Sequence, residues 1–154
     1  MQRRLVLALP AAIALPAHAH HGWSSFDQSR PIYLEGKAGK VSWTNPHAEV
    51  MLDLPADLKL PTDLATRALP AQSAGVDGPA LLKAAQLPTR KDRRWEIELA
   101  PISRMDAWKV APIKVGDSVG VLGFTFGGEK GEAVLRAEYL FVAGQVYGLR
   151  SSPV

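Results

Sequence analysis

Apolar and polar positions alternate along much of this chain. Ile32, Leu34, Val41 and Trp43 fall at two-residue spacing, with Gly36 and Gly39 interrupting them. Glycines inside a strand pattern mark a bulge or a sharp coil of the kind a small barrel needs to close. Asn45-Pro46 breaks the run. Beyond it Ala48, Val50, Leu52 and Leu54 alternate with His47, Glu49, Met51 and Asp53. This predicts a strand with one face in the core, and it places His47, Glu49 and Met51 together on the other face. Trp95, Ile97 and Leu99 alternate with Glu96 and Glu98 in the same way. Val119 and Val121 lead into Phe124-Thr125-Phe126, and residues 134–142 form a long strand pattern. Val115-Gly116-Asp117 and Gly127-Gly128 read as turns, and Ala143-Gly144-Gln145 as a hairpin turn into a last strand over 146–149.

Two segments carry a different pattern. Ile102, Met105 and Trp108 recur at spacings of three, which predicts a short amphipathic helix within 101–110, opened near Ser103. Residues 55–94 are punctuated by Pro55, Pro61, Pro70, Pro79 and Pro88. They read as a long, loosely packed surface excursion holding a short helix over 78–86, with Asp77 as its N-cap. The order of elements is that of an all-β protein: a five-stranded OB-fold-like β-barrel spanning residues 31–154, with one short helix between strands 3 and 4 and the Pro/Ala-rich insertion. A β-sandwich is the alternative.

The first residues belong to no such domain. Arg3 and Arg4 precede an apolar run over 5–15, and Ala17-His18-Ala19 supplies a small-residue cleavage site. This is the layout of a signal peptide at 1–19, whose helix is too short to span a bilayer. The expected mature chain starts at His20, with an N-terminal segment at 20–30, and its expected location is the periplasm. The chain has no Cys, which excludes disulfides, thiolate metal sites and a lipidated Cys anchor.

The leader also changes the charge. Removing Arg3 and Arg4 from the 18 basic residues leaves 16 against 15 acidic ones, so the formal +3 falls to about +1. Nucleic-acid binding needs a concentrated basic surface. The single basic cluster, Arg90-Lys91-Asp92-Arg93-Arg94, reads as a solvated loop, so no nucleic-acid role is expected.

Several motifs taken together resemble a family of uncharacterised exported bacterial proteins, a domain of unknown function. They are His20-His21, Ser25-Phe26-Asp27, Leu34-Glu35-Gly36, Trp43-x-Asn45-Pro46-His47, Trp95-Glu96-x-Glu98, Val115-Gly116-Asp117 and Arg136-x-Glu138. Members of that family start Ala-His-His-Ser-Phe and carry Trp-x-Asn-Pro-His. This chain departs from the pattern by placing Gly22-Trp23-Ser24 before the Ser-Phe, and by its long excursion. The resemblance implies export and an OB-like barrel, and implies no activity.

Histidine is the main candidate for chemistry. His18 leaves with the leader, so the mature chain has His20, His21 and His47. A mature His20 would offer an α-amino group and an imidazole. With a third nitrogen from His47 or His21, these would form a histidine brace for Cu(II), and Met51 could add a soft ligand for Cu(I). The competing account is a solvated N-terminus, with His47 bonding locally at a strand edge. No His-Glu-x-x-His helix, nucleophile elbow or Walker loop is present. Glu96 and Glu98 are expected to pair with Arg93, Arg94 or Arg136. Trp95 and Trp108 read as core residues, and Trp23 as buried or covering the His pair. The pattern points to binding rather than catalysis: a copper ion, or without metal a small molecule or an envelope partner protein.

Overall fold

The computed structural model describes residues 22–154, so the expected signal helix, His20 and His21 lie outside the described residues. Six strands follow one another: β1 (Ile32–Trp43), β2 (Ala48–Asp53), β3 (Arg94–Glu98), β4 (Ser118–Phe124), β5 (Val134–Val142) and β6 (Gln145–Gly148). The sheet order is β3-β2-β1-β4-β5-β6, and a parallel β3–β5 pairing closes the first five strands into a barrel. Helix α1 spans Gly78–Ala84, and helix α2 spans Ile102–Ala107, between β3 and β4. This is the OB-like arrangement of a five-stranded closed sheet with one helix at that crossing.

The barrel interior follows from the period of two. In β2 the burial pattern alternates strictly, with Ala48, Val50 and Leu52 buried. Trp95 and Ile97 of β3, Val121 of β4 and Leu135 and Leu140 of β5 join them in one cluster. Met105 of α2 is fully buried against the same cluster, while Ile102 and Trp108 pack at its margin. The helix opens after Pro101 rather than near Ser103. Pro101 is the N-cap in extended backbone, and its carbonyl accepts from the N–H groups of Arg104 and Met105 at 2.9 and 3.0 Å.

β1 serves both halves of the barrel. Residues 32–37 pair with β4, residues 37–43 pair with β2, and the register shifts between Ala38 and Lys40, where Gly39 stands. At the hand-over, a Cβ on Gly36 would collide with the Asp53 carbonyl. The glycines therefore allow the close backbone approach a coiled strand requires.

The excursion differs from its expected loose packing. Leu64 and Leu82 are buried with Tyr33, Leu122 and Tyr139 in a second cluster on the outer face of β1, β4 and β5. The backbone of Gln86 bonds β1 in both directions, from its N–H to Pro31 O at 3.1 Å and from Tyr33 N–H to its O at 2.9 Å. Asp77 caps α1 as expected, accepting from Ala80 N–H at 3.1 Å. The outer face of the barrel carries apolar side chains at period two, and burying them against the excursion releases water from both.

Candidate functional site

The outer face of β2 and β3 holds the polar residues that the alternation turned away from the core. His47 follows the Asn45-Pro46 turn and immediately precedes β2, with Glu49 and Met51 half-buried after it on the outer face of the strand. Extended chain rises about 3.3 Å per residue, so Met51 lies ~13 Å along the strand from His47. Met51 therefore stands at the far end of this face, a poor position for sharing one ion with His47. The cross-strand neighbour of Glu49 is Glu98, and that of Met51 is Glu96.

Glu98 is in turn the parallel partner of Arg136 on β5, so Glu49, Glu98 and Arg136 form one row across three strands. Arg136 Nη1 donates to Glu98 Oε2 at 3.2 Å, with both side chains 7% exposed. Burial lowers the Arg136 guanidinium from its ordinary pKa, Glu98 opposes that, and Arg104 and Arg150 add to it. The Nε of Arg136 is buried with no hydrogen-bond partner among the described residues.

At the β5 end of this row the chain enters from the N-terminal side. The Arg150 guanidinium lies over the Trp23 ring at 3.6 Å from its centroid, and that of Arg136 at 5.1 Å. Phe124 meets the same ring edge-on at 6.4 Å. Arg150 Nε donates to Glu138 Oε2 at 2.8 Å, and its Nη2 to Gln28 Oε1 at 2.9 Å. Glu138 is fully buried. Burial pushes its carboxyl above the usual range, and Arg150, Gln72 and Arg136 pull it back. It sits where the β4–β5 register shifts, between Ala137 and Tyr139, and with Arg136 it is one of two charged residues in β5.

Of the four residues singled out for metal, the structure thus puts His47 and Met51 on one face and leaves His20 and His21 outside the described residues. Among the described residues no three His, Asp or Glu side chains converge on a point that could hold an ion. The expected pairing of Glu98 with Arg136 is present. Trp23 is half-buried on two arginines rather than sunk in the core. Arg150 and Glu138 were not singled out as a pair. The available signal was Arg136-x-Glu138, two charges inside a nine-residue apolar strand.

A second concave region lies on the β1–β4–β5 outer face, a groove of about 390 Å³ lined by Tyr33, Glu35, Arg67, Gly120, Phe141 and Val146. Tyr33 Oη donates to Glu35 at 2.6 Å, and Arg67 lies over the Phe141 ring at 5.2 Å from its centroid.

No curated protein matches this chain. Residues 9–61, the stretch that runs through Trp23, β1, the Asn45-Pro46-His47 turn and β2, match a family of unknown function (DUF6152).

Proposed function

We propose that this chain is an exported binding protein that takes a copper ion through the mature His20, by its amine and imidazole, with a third nitrogen from His47. His21 stands beside His20 as a further nitrogen donor. The observation that supports this is the row Glu49–Glu98–Arg136, which leads from the strand that follows His47 to Trp23. β5 and β2 are two strand spacings apart, about 10 Å. His20 precedes Trp23 by three residues, a span of about 10 Å in extended chain. Nitrogen donors in a tetragonal arrangement suit Cu(II). The carboxylates of Glu49 and Glu98 line the path between the two ends, and such groups orient and balance a bound cation.

The test is a Cu(II) titration, with electron paramagnetic resonance, of exported protein whose N-terminus is confirmed by mass spectrometry. One tightly bound equivalent with a nitrogen-rich signal is expected, lost in His47→Ala and when an extra residue precedes His20. Weak, non-stoichiometric uptake would sink the reading. A metal-free module binding a small molecule is favoured instead by the groove at Tyr33, Arg67 and Phe141, whose volume falls within the range of small-ligand sites. Binding there would be indifferent to a residue before His20.

A further inference from the structure

We propose that the groove over β1, β4 and β5 binds a small organic cation, with its ammonium group held by Glu35 and its apolar body laid against Phe141 and Val146. This rests on the metal-free reading of that groove and adds to it the chemistry of the ligand.

One row of cross-strand neighbours builds the site. Glu35 of β1 faces Gly120 of β4, Gly120 faces Phe141 of β5, and Phe141 faces Val146 of β6. The row runs from a carboxylate to two apolar side chains, with a gap at the glycine between them. Glu35 and Phe141 are two strand spacings apart, about 10 Å. The floor of that gap is polar. A Cβ on Gly120 would come within 2.9 Å of Tyr33 Oη, so the glycine lets the phenol lie against β4. From there Tyr33 Oη donates to Glu35 Oε2 at 2.6 Å and fixes the carboxylate. Burial and this hydrogen bond push the Tyr33 phenol above its ordinary pKa, so it stays a donor through the neutral range.

The charges around the groove are not equivalent. Arg67 donates to Asp63 from Nε at 3.0 Å and from Nη2 at 3.2 Å, so its fork is taken and its charge is offset. Lying over the Phe141 ring, it serves as a wall of the groove rather than as a receptor for an anion. Lys37, two residues along β1 from Glu35, donates to Ser118 Oγ at 2.7 Å. Glu35 is exposed, and among the described residues it has no ion-pair partner. The charge left for a ligand to neutralise is therefore negative. An ammonium there makes a charge-assisted hydrogen bond to a carboxylate that Tyr33 already holds, which lowers the ordering cost of binding. The remaining lining is mostly apolar, and a groove of about 390 Å³ suits a small ligand.

The test is an NMR titration of nitrogen-15-labelled exported protein with 2-phenylethylamine and, separately, with 3-phenylpropanoate, which carries a similar body and the opposite charge. The amine should saturate one site and shift the amides of Gly120, Phe141 and Val146, with the carboxylate bound about tenfold or more weakly. Glu35→Gln can still accept from Tyr33, and its fold is checked by an unchanged thermal midpoint. It should weaken the amine about tenfold or more and abolish the preference between the two probes. Equal binding of both probes to the wild type, or an unchanged amine Kd in Glu35→Gln, overturns the cation site and leaves the small-molecule groove standing. No shift of those amides by either probe at ~10 mM, where a site of millimolar Kd is mostly filled, overturns both.

Discussion

Glu129 shows how a single side chain joins three distant segments. It lies in the turn between β4 and β5 and is 7% exposed. Burial alone would raise its pKa. The amides of Thr89 and Arg90, each at 3.0 Å, and the Arg30 guanidinium more than offset that and hold it below the usual glutamate value. A depressed folded-state pKa means that the ionised carboxylate stabilises the fold fully above the unfolded value of about 4.3, and that this contribution is lost as pH falls through the folded value. Glu129→Gln should therefore cost about 2 kcal/mol at pH 7, and the gap to wild type should shrink below pH 4. Urea unfolding across pH 3–7 measures both, and a gap independent of pH would contradict the assignment. The basic cluster shows the same economy of contacts. Arg90, expected to be solvated, donates from Nη1 to Glu129 O at 2.9 Å and Gly131 O at 3.1 Å.

Among the elements, β1 does most to shape the barrel, because one strand of twelve residues supplies an edge to two others. Its turn from one partner to the next depends on Gly36, where the backbone passes against the Asp53 carbonyl. Because that obstacle is backbone, it cannot rotate away as a side chain would. Gly36→Ala should destabilise the protein by about 3 kcal/mol, at the upper end of overpacking costs. A chemical-denaturation curve within 0.5 kcal/mol of wild type would show that β1 and β2 can separate there at little cost. α1 follows from its own residues: Asp77 caps it, and a proline stands at its start. Its place on the barrel follows from Leu82, which the helix turns inward.

At the scale of the molecule, the excursion is a second layer that shares a buried cluster with the outer face of the barrel. Leu82 is 3% exposed among Tyr33, Leu122 and Tyr139, which belong to β1, β4 and β5. Leu82→Ala should cost about 3 kcal/mol. Because barrel and excursion share these contacts, unfolding should remain a single transition when followed by circular dichroism and by tryptophan fluorescence. Two separated transitions would mean that the excursion folds as a unit of its own. The groove at Tyr33 and Arg67 also belongs to this scale, since Arg67 comes from the excursion and the remaining lining residues from the barrel and its hairpin.

Strands, turns and the inward face of each strand were legible in the chain because side-chain direction in a strand alternates with a fixed period of two. That local rule was enough to place His47, Glu49 and Met51 on one outer face and to order the strands as an OB-like barrel, and the N-cap signal of Asp77 picked out the helix after it. Tertiary structure alone decided what those faces meet. The excursion could cover the barrel or leave it bare with the same local pattern, since packing depends on surfaces brought together from distant positions. Glu98 meets Arg136 across 38 residues, and Arg150 reaches Gln28 across 122. No local period encodes such a pairing. It exists because barrel closure sets β3 beside β5 and brings Arg150 and Arg136 against Trp23.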